Sequence, residues 1–516
     1  MHGSQDQTPT PHRSPDSSLG RDAGRSSGSD AYSSAGEAQS LTRRQFLRRA
    51  GAVVAVLGGL GSGLGGILAG CDGDETSTPA ATVSPGQATS TSTSTSTSTS
   101  TSTTVASGPE TGRDIKIGLV SPLTGPLALF GRADEWWTGF ALQSLPDGLV
   151  CGDGRLHKFV FAKEDSRSDP GQAALMATRL ISDHKVDLLM CSGGADLVNP
   201  VAAQAEALAC PCLCSFVQWR SFVSGRIGSS GQAVRWSYAH AIGVEDIAAA
   251  YVDMWDRLLT NKKVGLLFPD SAGGRIWADT ATGLLPAAVA AGYECFQPGL
   301  YPVSGGDYSA FISEFKKNGC EICCGAFTTS AFAGFWRQAL AQEYRPKIMT
   351  VAEGLLFPHA LEAIIPAARY FTAELLWQSQ WPFVESITGK SCQEMAKDYM
   401  AKTGDHWIAP IGQYARFEWA VDAFKRVENL DDREEIVERV ASAKLETCLG
   451  PIDFTAPVDA SQLQSRRPAA NVYKAPAGAG QWVPADSFGF EPALLSAGNH
   501  PGLPIQAVIR PMEYDS

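Results

Sequence analysis

Residues 186–219 read VDLLMCSGGADLVNPVAAQAEALACPCLCSFVQW. The apolar run Val186–Cys191 has the length of a buried strand. Ser192–Asn199 reads as a loop, and Pro200 as the first residue of a helix, because proline's fixed φ suits a first helical turn. Ala202, Ala203, Ala205, Ala207 and Leu208 keep that helix slim and apolar on one side. Pro211–Phe216 is a second strand, ending in Val217-Gln218-Trp219. Strand, helix and strand in so short a span predict a parallel βαβ unit. Ligands of such sheets bind beyond the carboxyl ends of the strands. The loops 192–199 and 217–220 are therefore expected to open onto a binding cleft.

The same rhythm extends in both directions. Upstream, Ile115–Val120 is a strand, followed by the turn-rich loop Ser121–Pro126. Phe130, still in the loop, is a cleft candidate; Trp136, Trp137 and Phe140 fall at helical spacing and read as core. His157–Lys163 is a strand, and Asp169-Pro170-Gly171-Gln172 reads as an N-cap, a proline at the first helical position and a glutamine at the third. Downstream, helix 244–259 and strand 262–268 precede a Gly-rich loop, Pro269–Arg275, and a helix from 276 to 291. Strand 321–326 ends in Phe327-Thr328-Thr329, and strand 347–351 in Ala352-Glu353-Gly354. The pattern restarts after about residue 240, so the fold class is α/β, with parallel sheets in two similar halves.

The 516 residues are ample for two such halves. A net charge of −12 argues against a general nucleic-acid partner. Residues 1–40 are Ser-, Gly- and Asp-rich and cannot bury enough surface to fold. Residues 41–71 carry Thr42-Arg43-Arg44-Gln45-Phe46-Leu47-Arg48, a twin-arginine export pattern, then a weakly apolar run ending Leu68-Ala69-Gly70-Cys71. That ending resembles a bacterial lipobox, which makes Cys71 the expected lipidation site and the membrane a partner through that lipid. Residues 72–113, with strict Ser/Thr alternation through Thr89–Thr103, read as a flexible tether. The remaining cysteines read as buried thiols, with one or two disulfides as the alternative; no metal and no cofactor are expected. No H-E-x-x-H or complete phosphate loop is present, and the sole G-x-S-x-G, Gly24–Gly28, lies in the Ser/Gly-rich extension away from any strand-to-helix turn, so the chain does not read as an enzyme.

Several segments share an order and spacing with a known family. They are Ile117-Gly118-Leu119-Val120, Leu123-Thr124-Gly125-Pro126, Phe130-Gly131, Asp169-Pro170, Gly306-Asp307-Tyr308-Ser309-Ala310-Phe311-Ile312, Gly450-Pro451-Ile452-Asp453-Phe454 and Gly480-Gln481-Trp482. Together they resemble the leucine/isoleucine/valine-binding, type I periplasmic-binding-protein family of ABC-transporter substrate-binding proteins. The resemblance implies two Rossmann-like lobes joined by three hinge crossovers, near Trp236–His240, Trp377–Trp381 and Gly450–Thr455. Lobe one is then 114–237 with 382–449, lobe two 238–381 with 450–495, and 496–516 a C-terminal tail.

By position, the resemblance places a carboxylate-binding loop at Gly194, Ala195 and Asp196, and a second contact loop at Gln218 and Trp219. It places an acidic ammonium partner at Glu353, an aromatic at Phe130, and Thr328 where another aromatic is usual. The chain departs from the family at Gly193-Gly194-Ala195-Asp196, where a serine run is common, and at Gln218-Trp219-Arg220, where small residues are common. Arg220 there is a candidate anion partner. These departures point away from leucine, toward another amino acid or a small polar or aromatic-bearing solute. The implied function is an extracytoplasmic, monomeric solute receptor that delivers to a membrane permease. A ligand-binding sensor signalling to a membrane partner is the alternative.

Overall fold

The computed structural model describes residues 108–516, except 228–233, 363, 365–367, 457, 459–470, 487 and 516. The N-terminal extension, the export signal with Cys71 and the tether up to residue 107 lie outside the described residues. No helix among those described is long and apolar enough to cross a membrane.

Six strands form the first sheet, in the order Val472–Lys474, Ser237–Ile242, Cys212–Gln218, Leu188–Cys191, Ile115–Ser121, Phe159–Asp165. Every pairing is parallel. Leu188–Cys191 and Cys212–Gln218 are buried at every residue, as near-continuous apolar strands must be when helices cover both faces. One face packs helices Pro170–Ser182 and Ala195–Ala207 through Ala177, Leu180, Val198 and Ala205. The other face carries Trp137, Phe140 and Phe417. Helix Pro170–Ser182 starts as expected: the Asp169 side chain accepts the Gln172 N–H at 2.8 Å.

The second sheet orders Leu300–Tyr301, Lys263–Pro269, Ile322–Phe327, Ile348–Glu353 and Thr372–Leu375 in parallel. Gly478–Pro484 and Phe490–Ser496 then extend it antiparallel. The last residues return to this half, where Glu513–Tyr514 pairs with Ala368–Arg369.

Among the described residues the chain crosses between the halves three times, and two crossings differ from the expected positions. Strand Ser237–Ile242 belongs to the first sheet. Helix Val244–Trp255 packs on the second, so the first crossing is at Gly243 and not within 236–240. The third lies at 475–477, between Val472–Lys474 in the first sheet and Gly478–Pro484 in the second. Gly450–Asp453 instead pairs with Lys444–Thr447, and Phe454 stacks on Trp419 with ring centroids 4.8 Å apart. That aromatic contact holds the segment in the first half. The second crossing follows Leu375 and contains Trp377 and Trp381, both buried. Trp377 Nε1 donates to the Cys448 carbonyl at 3.0 Å.

Two helices begin earlier than their sequences suggest. The helix expected from Pro200 begins at Ala195, and Pro200 lies inside it. Gly194, at φ +89°, makes the turn into it. The Gly-rich 269–275 segment is mostly helix Ala272–Ala278, because the Ser271 side chain caps the Gly274 N–H at 3.0 Å. The described cysteines form no disulfide. Three of them, Cys191, Cys212 and Cys214, lie with their sulfurs within 4.8 Å of one another in the apolar core of the first half.

Candidate functional site

A cavity of about 740 Å³ lies where the carboxyl ends of the two sheets face each other. The first half contributes Leu127, Phe130, Gly193, Gly194, Ala195, Asp196, Phe216, Gln218 and Ile242. The second contributes Asp270, Arg275, Trp277, Tyr301, Thr328, Glu353, Leu356, Glu374 and Leu376. Seven of the eight residues expected in the cleft therefore line one space; Trp219 does not.

The strand Cys212–Gln218 explains that exception. Its register against Ser237–Ile242 shifts between Ser215 and Gln218, and Phe216 takes φ +51°. Such a bulge re-aims side chains at the end of a strand. The Phe216 carbonyl accepts the Gly194 N–H at 3.0 Å, which ties the two expected contact loops together. Phe216 and Gln218 then face the cavity, while Val217 packs in the core. Helix Trp219–Ile227 starts at once, and its first turn swings Trp219 into that same core, fully buried. Trp219 Nε1 donates to Glu245 Oε1 at 2.8 Å. The expected place of Trp219 on the cleft wall is corrected: it is a core residue under its own segment. Arg220 lies over the Trp219 ring at 4.4 Å and does not line the cavity.

Two carboxyl groups form one end of the cavity. Glu353 closes strand Ile348–Glu353 in a left-handed conformation, φ +63°, a position that costs a non-glycine residue about 1–3 kcal/mol. Its N–H donates to Glu374 Oε1 at 2.6 Å, and Tyr251 donates to Glu374 Oε2 at 2.6 Å. Gln218 Nε2 donates to Glu353 Oε1 at 3.1 Å from the opposite half. Burial raises the Glu353 carboxyl to about 8, and the neighbouring Glu374 and Asp196 charges push the same way. The Gln218 hydrogen bond and the Trp277 indole act against that rise. Burial likewise raises Glu374 to about 7, against the hydrogen bond from Tyr251. A cation placed beside either group reverses the shift, because an opposite charge favours the ionised form.

Asp196 sits in the first turn of helix Ala195–Ala207, where the helix dipole favours an anion. Desolvation raises its carboxyl, while the Ala272 N–H and the Arg275 charge pull it down. Arg275 pairs with Asp270 at 2.6 Å and is mostly solvated. Thr328 faces the cavity and also caps helix Thr329–Ala341, accepting the Ala331 N–H at 3.3 Å. Phe130 packs edge-on against Phe357 of the second half at 5.2 Å, and its carbonyl accepts from Gln413 at 2.9 Å.

The sequence reading missed Glu374, Trp277 and Tyr301. Glu374 alone had a signal, as the one acid in the apolar run Phe371–Leu376. Trp277 was hidden because Pro269–Arg275 read as a loop and Trp277 as part of the helix after it, whereas the helix Ala272–Ala278 begins within that loop. Tyr301 stands on a strand of only two residues.

A sequence profile of a family described as periplasmic binding protein matches residues 114–468. Over 71 residues, 14% of this chain, the sequence is 35% identical to a Leu/Ile/Val-binding protein of Citrobacter freundii; the match spans 18% of that protein's length. Among solved structures, the leucine-binding protein LivK from Thermotoga maritima matches with a TM-score of 0.58 at 16% identity, over 73% of this chain and 97% of that one. A solute-binding protein of an ABC transporter from Rhodopseudomonas palustris BisB5, in complex with 3,4-dihydroxybenzoic acid, gives 0.58 at 15% identity, covering 75% and 99%. A fatty acid ABC transporter substrate-binding protein from Thermomonospora curvata gives 0.57 at 16% identity, covering 77% and 97%. At such identities the structural likeness is one of fold.

Proposed function

The chain belongs to the periplasmic binding protein family, and from that premise we propose that it captures a small solute between its two lobes for an ABC importer. One observation carries this reading. The largely apolar cavity is lined from both lobes, and Gln218 of the first meets Glu353 of the second in its wall at 3.1 Å.

The mechanism is hinge closure about the crossings at Gly243, after Leu375 and at 475–477. Contacts to solute that exist only in the closed form shift an open–closed equilibrium. Moving it from mostly open to mostly closed takes about 5.5 kcal/mol of differential affinity. Charge-assisted hydrogen bonds at Glu353, and aromatic burial against Phe130, Phe216 and Trp277, are of that order together. Closure brings rim residues of both lobes into one surface, which the membrane permease recognises. The protein binds its solute without turning it over. A lipid on Cys71 holds the monomer at the extracytoplasmic face of the membrane; the expected tether 72–113 is shorter at its far end, because Glu110 and Gly112 pair with Leu156 and Arg113 with Asp187 of the first half.

The solute is among an amino acid, a related polar compound or an aromatic-bearing one. The test is to purify the protein from its own membranes, denature it and identify what it releases by mass spectrometry. One compound, whose uptake is lost from cells lacking the protein, is the expected result. Intact uptake with loss of a membrane-signalled response points instead to a sensor.

A further inference from the structure

We infer that the cavity selects an amine with an apolar body and no carboxylate: Asp196 supplies the protein's own carboxylate at the helix head, while Glu353, Glu374 and Gln218 receive an ammonium group. This rests on the solute-receptor reading above.

The charge of the lining comes first. Four carboxyl groups face the cavity, Asp196, Asp270, Glu353 and Glu374, against the single guanidinium of Arg275. Arg275 is already paired with Asp270. Among the described residues no lysine or histidine lines the space. A ligand carboxylate therefore meets no uncommitted cation among these residues, and Asp196 at the helix head opposes a second anion there.

The backbone donors point the same way. A helix N-terminus is the natural place for a ligand anion, and helix Ala195–Ala207 opens on the cavity. Asp196 occupies its first turn, and the Ala272 N–H of the facing lobe favours its ionised form. The positive end of that helix thus already has an anion beside it.

Beside Glu353 and Gln218 the unmet demand is for a donor. Gln218 is 8% exposed; its Nε2 is spent on Glu353, and its Oε1 has no hydrogen-bond partner. An ammonium group, with three donors and no acceptor, is the chemical complement of the unpaired Gln218 Oε1 and the Glu353 carboxyl group. Phe130, Phe216 and Trp277 offer rings for an aromatic body. Burial keeps Glu353 protonated near neutral pH in the empty cavity, so seating the cation expels that proton.

The test is calorimetric titration of the full chain with three probes that differ only at the end groups: tryptamine, tryptophan and indole-3-acetate. Tryptamine is expected to bind at least about tenfold more tightly than either carboxylate. Titrations at pH 7 in two buffers of different ionisation enthalpy are expected to show up to one proton released. Asp196→Asn, which removes the built-in anion, is expected to move the tryptophan-to-tryptamine affinity ratio about tenfold toward tryptophan. Tryptophan bound as tightly as tryptamine by the unaltered protein overturns the inference and leaves the receptor reading standing. Failure of all three probes also overturns it, and the reading itself is then decided by whether the purified protein releases any solute.

Discussion

Gln218 Nε2 donates to Glu353 Oε1 at 3.1 Å, from the end of a first-lobe strand to the end of a second-lobe strand. The bond links the halves within the cavity and fixes which Glu353 oxygen remains for a solute. It also lowers the Glu353 pKa against burial, so its loss acts on affinity, hinge position and protonation together.

Gln218→Ala is expected to weaken solute binding by about 1.5–3 kcal/mol, the range for a hydrogen bond to a charged group. Small-angle scattering is expected to show a larger radius of gyration for the empty variant, because the link between the lobes is gone. Unchanged affinity and radius together contradict the role.

Stability is expected to fall with rising pH between about 6.5 and 8. Burial raises Glu353 to about 8 and Glu374 and Glu418 to about 7, whereas an unfolded glutamate titrates near about 4.3. A raised folded pKa means that the contribution is full below the unfolded value and is lost as pH rises to the folded one. Each unit of unmatched titration costs about 1.4 kcal/mol. His240 acts oppositely, since burial lowers it to about 3, but its effect lies below about pH 6.5. Calorimetric melting of the empty protein checks this, and Glu353→Gln is expected to flatten the slope above pH 7.

Trp219→Phe is expected to lower stability by about 1–3 kcal/mol while leaving affinity unchanged. The indole N–H bond to Glu245 is lost, and a buried acceptor loses a partner. Thermal melting and titration calorimetry separate the two effects. A large affinity loss at constant melting temperature contradicts the core assignment.

Gly274→Ala tests the packing beneath Trp277. A Cβ at Gly274 falls 2.0 Å from the Pro269 carbonyl oxygen, so the helix Ala272–Ala278 must move. The expected cost is about 1–3 kcal/mol of stability, read by thermal melting, with weaker binding because Trp277 moves too. A melting temperature equal to the parent's contradicts it.

The alternation of strands and helices was legible because periodicity and caps such as Asp169-Pro170 are local signals. The cleft loops followed from strand polarity alone. What escaped was set by distant contacts. Pro200 looked like a helix start, yet Gly194 turns the chain earlier and the proline rides inside the helix. Gln218 and Trp219 are adjacent in a chain that bulges at Phe216, so one faces the cavity and the other the core. No local pattern marks that bulge. The third crossing was misplaced because Phe454 is held by Trp419, a partner 35 positions earlier in the chain.

The proposed function requires one small solute to bind between the two lobes, in contact with Glu353. Native mass spectrometry of the gently purified protein, beside its Glu353→Gln variant, tests it most directly. The expected result is a 1:1 complex with a small molecule in the parent and at least about a tenfold lower occupancy in the variant. Equal occupancy in the two proteins, or no bound molecule in the parent, contradicts it.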